Sequence, residues 1–233
     1  MKGKLYLIPV TLGDSNVSDV IPEKVVQIIN TIDHYIVEDE RSARRFLKKA
    51  GIVKAIQDLT FFPLDKHASS APKGFFPLLD QGKHIGLLSE AGCPGVADPG
   101  SDIVKMAHIK GICVVPLTGP SSIVLALMAS GLNGQNFAFR GYIPVPKHER
   151  LKKIKDLESI SARENQTQIF IETPYRNRYL LEDILAATSP STKLCIACDL
   201  TLETEFVQTK TIQEWAKNIP DIHKRPTIFL LHR

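Results

Sequence analysis

Short apolar runs rich in Val, Ile and Leu alternate along this chain with stretches whose apolar residues recur at helical spacing. Residues 5–10 predict a buried strand. Residues 17–32 hold Val25, Ile28, Ile29 and Ile32 at helical spacing and predict one helix, with Ser18 as N-cap and Pro22 in its first turn. Residues 35–37 predict a second strand and 40–50 a helix stopped by Gly51. A weaker helix closes at 78–81, before a strand over 84–88 that runs into a loop rich in glycine and proline. A helix over 101–110 ends at Gly111, and 112–117 predict another strand. This βαβα order favours a mostly parallel sheet with helices on both faces.

The pattern changes after Leu117. A turn cluster at 118–122 leads into an unusually apolar helix over 123–130 that stops at Gly131. Strands follow at 137–142, 168–172, 193–198 and 227–232, with helices at 149–161 and 178–187. Between the last two strands, 200–224 predict only a short helix around Trp215. The expectation is therefore two α/β domains: 1–117 with a mostly parallel sheet, and 118–233 with a mixed one. Residues 66–73, bearing Ser, Ala and Pro, read as a mobile loop.

Composition narrows the class. Over 233 residues, 43% hydrophobic and 23% charged content excludes a disordered or fibrous chain. With 29 Lys+Arg against 25 Asp+Glu the formal charge is +4, compatible with a nucleic-acid partner without establishing one. The four cysteines, Cys93, Cys113, Cys195 and Cys198, are too few for a disulfide framework. No leader pattern stands at 1–10, and no apolar run approaches the roughly 18 residues that span a bilayer. The reading expects a soluble protein of a reducing, cytoplasmic compartment, with no membrane partner.

The most informative segment is 89–100, SEAGCPGVADPG, which follows a predicted strand and precedes a helix. In an open α/β sheet that is the carboxyl end of a strand, where ligands bind. No Gly-Lys-Ser/Thr follows, and glycines at 92, 95 and 100 do not fit a dinucleotide fingerprint. Glu90 and Asp98 oppose a phosphate, so a ligand with hydroxyls, an amine or a positive centre suits the loop better. The competing reading is a bare strand-to-helix turn. At 116–122, PLTGPSS, Ser121 and Ser122 stand where a helix N-terminus offers donors, and simple capping competes with ligand binding. Small residues over 126–131 leave space for a flat ring.

Two basic clusters stand out: Arg41, Arg44, Arg45, Lys48 and Lys49 on one helix, and Lys147, Arg150, Lys152, Lys153 and Lys155 on another. Each reads either as RNA-backbone contact or as a solvated helix face. Cys195 and Cys198 lie three apart in a predicted strand, hence on opposite faces. The seven histidines show no zinc spacing, so no metal is assigned.

Several segments in order carry a resemblance: 5–14 (LYLIPVTLGD), 37–41 (VEDER), 88–100 (LSEAGCPGVADPG), 115–122 (VPLTGPSS), 129–133 (ASGLN), 139–144 (FRGYIP), 170–176 (FIETPYR) and 200–205 (LTLETE). They resemble the tetrapyrrole methylase superfamily of S-adenosylmethionine-dependent methyltransferases. Within it they are most similar to the branch that methylates a cytidine ribose 2′-oxygen in small-subunit ribosomal RNA. The resemblance implies a tetrapyrrole methylase-like fold, two α/β domains with the cofactor site in the cleft between them, and a homodimer. It implies ribosomal RNA or the small ribosomal subunit as partner. The cofactor, S-adenosylmethionine, is expected on Leu12 and Gly13, on Ser89, Glu90, Ala91, Gly92 and Val96, and on Ser121 and Ser122. Tyr175 and Leu200 are expected as the wall around the adenine.

For substrate positioning or proton removal the resemblance nominates Glu38, Asp39 and Arg41, with Glu172 and Arg176. A structural ion pair competes with each carboxylate–guanidinium set. Departures from the family pattern stand at VTLGD (10–14), at Glu90 and Cys93 in the glycine-rich loop, and at Arg225-Pro226 before the last strand. As the sequence stops soon after the strand expected at 227–232, the C-terminal extension that many ribosomal members carry is expected to be lacking. Two other readings stay open: a methyltransferase of this fold acting on a tetrapyrrole or another small molecule, and a catalytically silent cofactor- or RNA-binding module. VEDER and LSEAGCP belong to the RNA branch and weigh against the first.

Overall fold

The computed structural model describes residues 1–64 and 74–233; the loop expected at 66–73 lies outside them. The chain divides into two compact units, Met1–Ser121 and Ser122–Arg233. In the first, β1 (Lys4–Ile8), β2 (His34–Val37), β3 (Thr60–Pro63), β4 (Ile85–Leu88) and β5 (Cys113–Pro116) form one sheet in the order β3-β2-β4-β1-β5. Every pairing in it is parallel. Its crossovers carry the helices α1 (Val17–Val20), α2 (Glu23–Ile29), α3 (Glu40–Lys49), α4 (Phe76–Asp80) and α5 (Ser101–Ile109).

Strand periodicity of two sends alternate side chains to opposite faces. Tyr35 and Val37 pack with Val25, Ile29 and Leu47 of α2 and α3. Ile36, Ile85 and Leu87 pack with Leu79, Ile103 and Ala107 of α4 and α5. Both faces are therefore covered, which is why β4 (IGLL) is buried at every position.

The single helix expected over 17–32 is two. Pro22 pushes the preceding Ile21 into extended backbone (φ −113°, ψ 119°), ending α1, and stands itself as the N-cap of α2. Ser18 lies inside α1, whose N-cap is Asn16. β3, which the apolar pattern does not announce, is a half-buried edge strand ending in Pro63.

The second unit holds α6 (Ser122–Ser130), β6 (Phe137–Tyr142), α7 (Lys147–Glu164), β7 (Thr167–Ile171), α8 (Asn177–Ala187), β8 (Lys193–Cys198), β9 (Phe206–Thr211), α9 (Ile212–Trp215) and β10 (Thr227–His232). Its sheet runs β6-β7-β10-β8-β9, with β6 parallel to β7 and the remaining pairings antiparallel. The stretch 200–224, expected to hold only a short helix, also contains β9. Its sequence FVQTKT lacks alternation, and six cross-strand pairs with β8 define it instead. Trp215 sits beneath it, fully buried, donating its indole N–H to Leu194 O at 2.8 Å. Among the described residues no helix is long and apolar enough to cross a membrane.

Candidate functional site

Because the first sheet is parallel, the segments leaving β1, β2, β4 and β5 all emerge at its carboxyl edge. Three of them converge on Gly92. Val10 N–H donates to Gly92 O at 2.9 Å, and the buried Ser89 hydroxyl donates to the same carbonyl at 3.0 Å. Gly92 has φ +70°, and a Cβ there would lie 3.1 Å from Leu12 Cδ2 and 3.3 Å from Pro120 O. Cys93 Sγ donates to Pro120 O at 3.4 Å, and burial raises its thiol pKa. Glycine is thus required where residues 10–14, 89–96 and 118–121 meet.

Beside this junction lies a cavity of about 430 Å³. Leu12, Gly13, Ser89 and Glu90 form one side of it, and Ser42, Arg45, Phe46 and Lys49 of α3 form another. Ser42 Oγ donates to Glu90 Oε1 at 2.7 Å, joining helix and glycine-rich loop. Lys49 Nζ meets Asp14 Oδ1 at 2.5 Å and, with Arg45 farther off, holds that carboxyl below the usual range. Asp39 caps α3, its Oδ1 accepting from Ser42 N–H at 2.7 Å, and this bond chiefly lowers its pKa. Glu38 follows β2, half-buried, and Arg41 is exposed in the first turn of α3, adding positive field at Asp39.

Of the residues expected at a cofactor site, Leu12, Gly13, Ser89 and Glu90 line the cavity, and Gly92 is the junction beside it. Ala91 lies on the same loop, and Val96, half exposed, farther along it. Ser121 ends the first unit and Ser122 opens α6 in the second. Ser42, Phe46 and Asp14, which are not among the expected site residues, line the cavity as well. The available signal was the 42, 45, 46, 49 spacing, one face of a helix.

Glu172, Tyr175, Arg176 and Leu200 belong to the second unit. The Glu172 carboxylate is buried just past β7 and accepts from Thr173 N–H and Arg176 Nη2, both at 2.6 Å. Tyr175 is exposed, with Lys224 Nζ 5.7 Å above its ring. Leu200 is buried in the turn after β8. That turn is held by Arg225, which donates from Nε to Asp199 Oδ2 at 2.8 Å and from Nη2 to Thr204 O at 2.6 Å.

Within the same turn Thr201 has φ +72° and a buried hydroxyl without a hydrogen-bond partner among the described residues. A β-branched residue there costs about 1–2 kcal/mol. Thr201→Gly relieves that strain and loses about 0.5–1 kcal/mol to unfolded-chain entropy. The variant is expected to gain up to about 1 kcal/mol in urea unfolding; a lower midpoint at unchanged slope contradicts the assignment of strain.

The basic clusters are not uniform faces. Arg44 is paired with Glu40 at 2.6 Å, its guanidinium 4.9 Å over the Phe61 ring. Arg150, expected on a solvated or RNA-facing surface, is buried: its Nε and Nη2 each lie 2.6 Å from Asp183 Oδ2, and Nη1 donates to Val145 O. It is a core ion pair joining α7 to α8. Cys195 and Cys198 are buried in β8, and burial raises both thiol pKa values.

No family model matches the chain. It is 31% identical over 209 residues to the ribosomal RNA small subunit methyltransferase I of Thermotoga maritima, covering 89% of this chain and 88% of that protein. To the protein of the same name from Escherichia coli O157:H7 it is 30% identical over 234 residues, covering 99% and 78%. The chain belongs to the ribosomal RNA small subunit methyltransferase I family. It is a methyltransferase, as the motifs lead one to expect. Among solved structures it matches the methyltransferase CobJ (TM-score 0.65, 16% identity, 99% and 94% covered). It also matches uroporphyrin-III C-methyltransferase from Thermus thermophilus complexed with S-adenosyl homocysteine (TM-score 0.58, 16% identity, 99% and 98% covered). The expected tetrapyrrole methylase fold with two α/β domains is therefore the observed one.

Proposed function

We propose that this methyltransferase takes the methyl group of S-adenosylmethionine to a ribose 2′-oxygen of small-subunit ribosomal RNA, in the cytoplasm and as a homodimer. The observation that supports the donor site best is the junction at Gly92. Gly92 is buried with φ +70°, Gly95 after it also has positive φ, and a side chain at 92 would press on Leu12 and Pro120, so the main chain of the three segments packs closely there. A ligand gripped by backbone groups, without phosphates and with a cationic centre, suits a loop that carries the Glu90 carboxylate. Leu12, Gly13, Ser89, Glu90, Ala91 and Gly92 would hold it, with Val96 and Ser121-Ser122 flanking. Bound, the cofactor supplies an electrophilic methyl on sulfur.

The chain's own work is to align the acceptor hydroxyl and take its proton. Holding the partners in register is worth roughly 7–11 kcal/mol of barrier. Glu38, Asp39 and Arg41 are assigned to substrate positioning. Asp39 reaches it through the start of α3, whose Ser42 ties the cap to Glu90. The roles given to Glu172, Arg176, Tyr175 and Leu200 rest on the likeness of their segments to the family motifs, and that of ribosomal RNA on the names of the relatives.

Small ribosomal subunits lacking the modification, incubated with methyl-labelled S-adenosylmethionine and this chain, test the proposal. Mass spectrometry of the digested RNA is expected to find one ribose-methylated nucleoside. An unlabelled RNA, with S-adenosyl homocysteine binding intact by calorimetry, overturns the RNA substrate. Sedimentation at micromolar concentration is expected to give a dimer.

A further inference from the structure

The α3 side of the cavity beside Gly92 has chemistry that the donor site does not use. Its α3 side presents Ser42, Arg45, Phe46 and Lys49, the i, i+3, i+4 and i+7 positions of one helical face. From Ser42 to Lys49 that face runs about 10 Å at 1.5 Å per residue. Phe46 is half-buried, one side packed on the core and the other facing the cavity. Arg45 and Lys49 stand at the far end, while the Ser42 hydroxyl and Glu90 carboxylate, 2.7 Å apart, stand at the near end.

We infer that the α3 side of this cavity is the acceptor pocket: it takes one single-stranded nucleotide, with the base against Phe46, the ribose hydroxyls toward Ser42 and the Glu90 carboxylate where α3 meets the donor loop, and the phosphate on Arg45 and Lys49. The inference rests on the RNA-methylating reading and names the residues that would hold the target. An aromatic face, a hydroxyl-seeking carboxylate and a cation pair are the three groups a nucleotide asks for in turn. At about 430 Å³ the cavity lies in the usual range for small-ligand sites.

The carboxylates in the cavity decide the orientation. Glu90 repels phosphate from the near end. At the far end Lys49 is already paired with Asp14, but the Asp14 side chain is 98% exposed, so a phosphate displaces it at little loss. The loops assigned to the methyl donor form the opposite side, so α3 variants separate acceptor from donor binding.

Anisotropy of a labelled single-stranded RNA heptanucleotide, titrated with the intact chain over a salt series, tests this. The double variant Arg45→Gln/Lys49→Gln is expected to bind about tenfold more weakly. Its log–log salt slope is expected to flatten by about 0.7, the value for one phosphate on a single strand. Phe46→Leu, which keeps apolar volume on the core side, is expected to lose about tenfold with the slope unchanged. Both are expected to bind S-adenosyl homocysteine as the parent does, by calorimetry. RNA affinity and slope unmoved in both variants overturns the inference, as does loss of S-adenosyl homocysteine binding in the double variant, which would give the cavity to the donor. If the parent leaves ribosomal subunits unlabelled while the heptanucleotide results hold, the ribosomal-RNA-methylating reading fails and the nucleotide pocket stands.

Discussion

Asp183→Ala is expected to destabilise the protein by about 3–5 kcal/mol. Arg150 and Asp183 have side chains only 11% and 8% exposed, and two guanidinium nitrogens share one carboxylate oxygen at 2.6 Å. Deleting the acid strands a charge that cannot reach water. Lys147 Nζ, 3.8 Å from the other oxygen and 73% exposed, loses little. The melting temperature should fall on the order of 10 °C. Replacing both partners by apolar residues, Arg150→Met with Asp183→Leu, is expected to recover most of that loss, because no uncompensated charge stays behind. A single variant that melts with the parent would return Arg150 to the solvated face that its lysine neighbours suggest.

That pair marks where local pattern stops informing. Along the chain Arg150 sits among Lys147, Lys152, Lys153 and Lys155 and looks like one of them; its partner lies 33 residues away on α8. The cavity side of α3 is hidden in the same way. Arg45 and Lys49 read as part of a basic cluster, RNA-facing or solvated, and their link to Ser42 and Phe46 shows only once Glu90, 48 residues from Ser42, and Asp14, 35 residues from Lys49, are folded against them. By contrast, the glycine-rich loop was legible, because glycine and proline report backbone angles directly. The order of motifs was legible too, and it led to the family and the fold. Pro22 misled since proline suits both a first helical turn and a break, and the backbone of Ile21 decides for the break. β9 was missed because an edge strand takes its definition from its neighbour rather than from alternation.

Gly119→Ala is the substitution expected to damage the site most. A Cβ on Gly119 would stand 2.2 Å from Pro9 Cγ and 2.3 Å from Pro9 Cβ. A proline ring has no rotamer by which to swing clear, so the backbone must move. Either the exit of β1 shifts, carrying residues 10–14 with it, or the turn before Ser121 shifts. Both segments meet at Gly92 through Val10 N–H and through Pro120 O, which accepts from Cys93 Sγ. A displacement near 1 Å at such a junction costs about 100-fold in rate, and the overpacking itself costs about 1–3 kcal/mol. Binding of S-adenosyl homocysteine, followed by calorimetry, is expected to weaken more than tenfold. Gly134→Ala is the control: a Cβ there meets nothing within 4 Å and the backbone is not left-handed, so affinity and stability should match the parent. If Gly119→Ala binds like Gly134→Ala, the β1 and β5 exits do not hold the donor, and the Gly92 junction is a packing feature of the sheet edge.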